Sequence, residues 1–104
     1  MTYKIQYSSF AAKDLYKLDR SVQERVIKAI KKVSKNPLPN YEGGYGKPLG
    51  NKGDTNLTGF LKIKLKKDGI RVVYKLIKTK TVMYILVIGV RSDDEVYLEA
   101  NRRK

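Results

Sequence analysis

Lys62, Lys64, Arg71, Arg91 and Tyr97 fall in two short stretches, residues 60–74 and 89–100, and none of the five is a carboxylate or an imidazole. Lysine, arginine and tyrosine brought onto one sheet face can hold a phosphodiester, move its protons and offset the charge that builds up during cleavage. The substrate class that suits such a set is RNA.

Composition agrees with a polyanionic partner. The 104 residues carry 23 Lys and Arg against 10 Asp and Glu, a formal charge of +13. The sequence pI of about 10 exceeds the value of ~9 that marks nucleic-acid-binding domains. A membrane surface or plain solubility also uses a basic balance, so charge alone does not choose among them. With no Cys there is no disulfide framework, thiolate nucleophile or cysteine zinc site, and with no His the usual metal ligand and acid–base group are missing. No metal or other cofactor is expected. The length fits one domain spanning residues 1–104. Residues 1–6 do not read as the start of a signal peptide, and no stretch reaches the ~18 apolar residues of a membrane span. A cytoplasmic protein is expected, with no membrane partner.

The elements that must position the five residues follow from periodicity. Residues 3–7 alternate, with Tyr3, Ile5 and Tyr7 on one side, as in a short strand. Ser8 and Ser9 then cap a helix over residues 10–18, with Ala11, Leu15 and Leu18 inward and Lys13, Asp14 and Lys17 outward. A second helix is predicted from Ser21, where Ser21-Val22-Gln23-Glu24 has the form of a capping box, down to Asn36-Pro37. Val22, Val26, Ala29, Ile30 and Val33 form its apolar stripe, and Arg25, Lys28, Lys31, Lys32 and Lys35 its opposite face. Those cations suit a solvated surface or contact with structural RNA equally well. Residues 36–58, rich in Gly, Pro and Asn, read as a long irregular loop.

Residues 60–77 read as a hairpin. Leu61, Ile63 and Leu65 alternate with Lys62, Lys64 and Lys66, and Asp68-Gly69 signals a two-residue turn. That turn places Lys66 opposite Arg71 and Lys62 opposite Lys75, with Leu61, Ile63, Leu65, Val72, Tyr74 and Leu76 on an apolar face that the helices cover. Lys62, Lys64, Lys66, Arg71 and Lys75 share the other face. Opposed like charges are unfavourable, which favours an anion site there over a purely structural sheet. Residues 82–90 form an apolar run suited to a strand covered on both faces, with Gly89 as a candidate bulge or point of close approach before Arg91. Ser92-Asp93-Asp94-Glu95 is a second capping box, opening a terminal helix through Val96, Tyr97 and Ala100, and its acids suit the helix dipole better than a metal. The fold class is α+β: an N-terminal strand, a helical hairpin packed on a mostly antiparallel twisted sheet, and a short C-terminal helix.

This order, with Lys-Ile-Lys-Leu, Asp-Gly and Ile-Arg-Val-Val-Tyr followed by Ile-Gly-Val-Arg-Ser and Glu-Val-Tyr-Leu-Glu-Ala, resembles the RelE toxins of the RelE/ParE toxin–antitoxin superfamily. The similarity covers nearly the whole chain. It implies a metal-independent endoribonuclease that cuts messenger RNA in the ribosomal A site by attack of a 2′-hydroxyl on the adjacent phosphate. The family's active-site positions correspond to Lys62, Lys64, Arg71, Arg91 and Tyr97, and Lys66 and Lys75 would add RNA contacts. On this resemblance Lys64 would be the general base. Lys62 and Arg71 would clamp the non-bridging oxygens, Arg91 would act at the leaving oxygen, and Tyr97 would orient the ribose or stack on a base. The plainer readings are packing for Tyr97 and surface for Arg91. The resemblance also implies a RelB-type antitoxin as partner, with DNA contacted only indirectly through the antitoxin complex. A ParE-like gyrase inhibitor and a non-catalytic RNA- or ribosome-binding protein are the alternatives.

Overall fold

The computed structural model describes residues 2–52, 55–90 and 92–104. Its chain order is β1 (Lys4–Tyr7), α1 (Ser9–Tyr16), α2 (Arg20–Ser34), β2 (Lys47–Pro48), β3 (Asn51–Lys52), β4 (Thr55–Asn56), β5 (Phe60–Leu65), β6 (Ile70–Ile77), β7 (Val82–Gly89) and α3 (Asp93–Arg103). Five strands form one sheet in the order β1-β7-β6-β5-β2, and β3 and β4 pair as a separate ribbon. Only β1 with β7 is parallel within the larger sheet; the other neighbours are antiparallel. The α+β architecture expected from the sequence is the one observed. Among the described residues no helix is long and apolar enough to cross a membrane.

The sheet has a core on each face. On one side Ala11 of α1 and Val26, Ile30 and Val33 of α2 pack on Leu61, Ile70, Val72, Tyr74, Met83, Ile85 and Ile88. On the other, Val96, Tyr97 and Ala100 of α3 pack on Val73, Leu86, Val87 and Leu57. This double cover explains why residues 82–88 read as an unbroken apolar run. Ser8 caps α1 as expected, its hydroxyl accepting from the Ala11 amide at 3.0 Å. The second helix begins at Arg20, with Asp19 at the cap position two residues before Ser21 of the Ser-x-x-Glu motif and no side-chain cap bond. Gln23 of that motif instead reaches back, its amide donating to the carbonyls of Leu18 at 2.8 Å and Tyr16 at 3.2 Å. It closes the end of α1, which makes the joint between the two helices tight.

The β5–β6 hairpin keeps its expected faces in a different register. Its loop has four residues, Lys66 to Gly69, because Leu65 rather than Lys67 is the partner of Ile70. Gly69 occupies the left-handed region at φ 66°, a conformation that glycine adopts without a Cβ clash. Asp68 is held from α2 by both Nε and Nη2 of Arg25, at 3.0–3.2 Å and 2.7 Å, and this bond keeps its carboxyl below the usual carboxylate range. Lys64 therefore stands opposite Arg71, Lys62 opposite Val73 and Phe60 opposite Lys75. The slip is two residues, which preserves the alternation, so the side chains that remain in the strands keep their expected faces while Lys66 passes into the loop.

A register irregularity between Val73 and Tyr74 leaves Leu86 without a partner on β6. The bulge sits at Leu86 rather than Gly89, and it turns two consecutive residues, Leu86 and Val87, toward α3. Gly89 is the point of close approach instead, since a Cβ there would lie 2.7 Å from Val96 Cγ2.

The far end of α3 is clamped. Arg103 Nη1 donates to Asp14 Oδ2 at 2.7 Å and to the Leu86 carbonyl at 3.1 Å, its Nε donates to Glu99 at 2.8 Å, and its guanidinium lies 5.1 Å from the Phe10 ring centroid. Asp14, expected to face solvent, also accepts from the Ile88 amide at 3.1 Å. The two side chains retain 13% and 16% of their exposure, so α1, the β7 bulge and α3 meet at a largely desolvated ion pair.

Residues 36–49 are held by contacts with the sheet rather than by period. Tyr74 donates its hydroxyl to the Pro37 carbonyl at 2.9 Å, and burial pushes that hydroxyl well above the ordinary tyrosine range. Gly46 rests directly on this bond: a Cβ there would lie 2.3 Å from the Tyr74 hydroxyl and 2.6 Å from Leu61 Cδ2.

Two substitutions test this arrangement. Gly46→Ala should lower unfolding free energy in urea by about 1–3 kcal/mol through overpacking, and an unchanged midpoint would show that the loop does not rest on Tyr74. Arg103→Ala leaves Asp14 without its guanidinium, while Glu99 keeps Arg102, and should cost on the order of 2 kcal/mol. It should also speed hydrogen exchange in α3 ahead of the sheet; equal protection of α3 in both proteins would refute the clamp.

Candidate active site

β5 projects Lys62 and Lys64 from the face opposite the helical hairpin, two residues and so about 7 Å apart along the strand. β6 sets Arg71 directly across from Lys64, with Cβ atoms about 5 Å apart in such a pair. Arg71 is half-buried and its Nη1 donates to the Gly69 carbonyl at 3.1 Å, which ties the guanidinium to the turn. Lys62 donates from Nζ to the Tyr97 hydroxyl at 2.8 Å and lies 5.5 Å from the centroid of that ring. The contact reaches between β5 and α3, 35 residues apart.

Four of the five residues singled out in the sequence thus meet on one face: Lys62, Lys64, Arg71 and Tyr97. Arg91 lies outside the described residues. Lys66 is exposed at the start of the hairpin loop, one step beyond the pair of Lys64 and Arg71. Lys75 shares the face but stands four residues from Arg71, about 13 Å along the strand, where its Nζ lies 5.6 Å from the Tyr84 ring centroid.

Tyr97 differs from a free aromatic platform. It is 6% exposed and packs with Val73 and Leu57, so its ring has little face to offer a base. Accepting from Lys62 leaves its own hydroxyl hydrogen to donate. Its hydroxyl holds Lys62 in place. A small cavity of about 90 Å³ adjoins the pair, lined by Pro48, Leu49, Thr55 and Leu57.

One residue of the site was not legible beforehand. Lys47 on β2 is the register partner of Lys62, so both stand on the same sheet face. Nothing in the aperiodic stretch of residues 36–58 marks β2 as an edge strand. The opposed like charges are therefore Lys64 with Arg71 and Lys47 with Lys62, in place of the two pairs that a two-residue turn predicts. Each costs up to about 1 kcal/mol. Chemically, these cations can neutralise the non-bridging oxygens of a phosphodiester.

Residues 5–95 match the family described as the ParE toxin of the type II toxin–antitoxin system parDE. The mRNA interferase toxin RelE of Escherichia coli K12 is 31% identical over 103 residues, covering 99% of this chain and 98% of that protein. Among solved structures, an arginine-to-alanine double mutant of the Escherichia coli toxin RelE in the free state superposes with a TM-score of 0.76 at 30% identity, covering 99% of this chain and 98% of that one. The same mutant toxin in complex with a peptide of the antitoxin RelB gives a TM-score of 0.69 at 29% identity, covering 100% and 99%. The order of the strands and helices, the basic face of the hairpin and these relationships place the chain in one family: it is a RelE-type toxin of the RelE/ParE superfamily of type II toxin–antitoxin systems.

Proposed function

We propose that this toxin is a metal-independent endoribonuclease that cuts messenger RNA in the ribosomal A site and so stops translation. The observation that carries the reading is the meeting of Lys62, Lys64, Arg71 and Tyr97 on one sheet face, with Lys64 across from Arg71 and Lys62 bonded to Tyr97. The name of the relative, mRNA interferase toxin RelE, supports it. A gyrase inhibitor on this fold has no use for opposed cations at this position, so the basic cluster favours the nuclease over the activity that a ParE relationship alone suggests.

The ribose 2′-hydroxyl gives its proton to the neutral amine of Lys64 as its oxygen attacks the adjacent phosphorus. The bond from phosphorus to the 5′-oxygen then breaks, leaving a 2′,3′-cyclic phosphate and a 5′-hydroxyl. Lys62 and Arg71 hold the non-bridging oxygens and offset the added charge of the pentavalent state. Tyr97 keeps Lys62 in place and orients the attacking ribose through its hydroxyl. Arg91 is assigned to the charge on the leaving oxygen, whose proton comes from solvent because a guanidinium hardly gives one up. The RelB peptide complex of the relative supports a RelB-type antitoxin as the partner that silences this activity, and DNA is contacted only through that complex.

The test is a translation reaction with wild type and Lys64→Ala, mapping messenger 5′-ends by primer extension with and without ribosomes. New ends within A-site codons are expected with wild type only, with cleavage by Lys64→Ala falling by a factor of about 10²–10⁴. Message left intact by wild type would refute the nuclease.

A further inference from the structure

We propose that Tyr45 and Lys47 form a second RNA-binding element at the edge of the sheet, in which Tyr45 stacks on an unpaired base and Lys47 contacts a neighbouring phosphate. The choice of RNA as ligand rests on the nuclease reading, and the binding test below is separable from cleavage.

The placement of Lys47 follows from the register. It is the partner of Lys62, and Leu49, two residues on, packs in the cluster that contains Val73 and Tyr97. Gly46, between Tyr45 and Lys47, is buried, and any Cβ it carried would meet Tyr74 and Leu61 of the opposite core. Lys47 shares the side of Lys62, and Tyr45, two residues before it in the bend that leads into β2, is exposed. Because β2 runs antiparallel to β5, the chain before Lys47 heads toward the end of β5 that carries Lys64.

The element is held rigidly. The Tyr45 amide donates to the Asn36 carbonyl at 2.9 Å, the Gly46 amide to Leu38 at 3.0 Å, and the Asn40 amide to the Gly46 carbonyl at 2.8 Å. Tyr45 nonetheless leaves 57% of its surface exposed. Single-stranded RNA is held by aromatic faces between phosphate-binding cations, and the buried ring of Tyr97 cannot serve as one. Tyr45 is an exposed ring, and an exposed cation of the basic face follows it two residues later.

The experiment measures the affinity of a fluorescein-labelled twelve-nucleotide single-stranded RNA of mixed sequence by anisotropy across a salt series. Lys64→Ala serves as the non-cleaving parent, and thermal melts check each variant. Adding Tyr45→Ala should weaken binding about tenfold with an unchanged salt slope, because stacking releases no counterions. Tyr45→Phe should bind like the parent. Lys47→Gln should reduce the salt slope by about one. Affinity within twofold of the parent in a folded Tyr45→Ala variant would overturn the proposal, and so would an equal loss in Tyr45→Phe or a parent that binds no RNA at low salt. If Tyr45→Ala does not fold, the Phe variant and the Lys47 slope decide. A parent that binds and responds as expected, beside a wild type that leaves translated message intact, would sustain this element while removing the nuclease.

Discussion

Lys64 and Arg71 are held face to face across two strands, against their mutual repulsion, and the rest of the fold is arranged around that constraint. A like-charge pair costs up to about 1 kcal/mol, and Lys47 opposite Lys62 adds a second. Burying one valine or isoleucine side chain contributes about 1.5–3 kcal/mol. The same two strands bury Leu61, Ile70, Val72, Val73 and Tyr74 almost completely, so packing outweighs repulsion by a wide margin. The sheet can hold cations together because both its faces are occupied by apolar side chains wherever the cations are not.

α3 is the part of this arrangement that turns a basic face into a site. It is fixed at its start by the Ser92 hydroxyl, which accepts from the Glu95 amide at 3.4 Å, and by the seating of Val96 on Gly89. It is fixed at its end by Arg103, which gathers Asp14, Glu99 and the carbonyl of the bulged Leu86. Tyr97 lies between these anchors, so its bond to Lys62 is set by the helix as a whole and not by a single flexible side chain. Lysine is otherwise a mobile point charge with a large rotamer entropy, and a fixed hydroxyl at 2.8 Å removes much of that freedom before any ligand arrives.

What the sequence disclosed was parity, and what it concealed was contact at long range. The faces of β5 and β6 were legible because alternation survives a register error of two residues; the loop length was not, because the turn is secured by Arg25, 43 residues away. The dipeptide Asp68-Gly69 reads locally as a two-residue turn, yet of the two only Gly69 takes a positive φ. The Ser21 motif failed because Asp19 takes the cap position and leaves Ser21 inside the helix. Lys62, Lys64, Arg71 and Tyr97 were found from spacing and family likeness together, whereas Lys47 was hidden because a two-residue edge strand in a stretch rich in glycine and proline has no period to detect. Asp14 read as a surface residue because its partner, Arg103, lies 89 residues away.

The strands fix where Lys62 and Arg71 leave the sheet, and the Tyr97 hydroxyl and the Gly69 carbonyl hold their charged ends. A phosphodiester placed beside Lys62 and Arg71 would gain from attraction to both cations. The gain is greater for the pentavalent state, which carries an extra negative charge at the same position, than for the ground-state phosphate. On the proposed mechanism Lys62 and Arg71 favour the transition state in this way, with the sheet supplying the preorganisation.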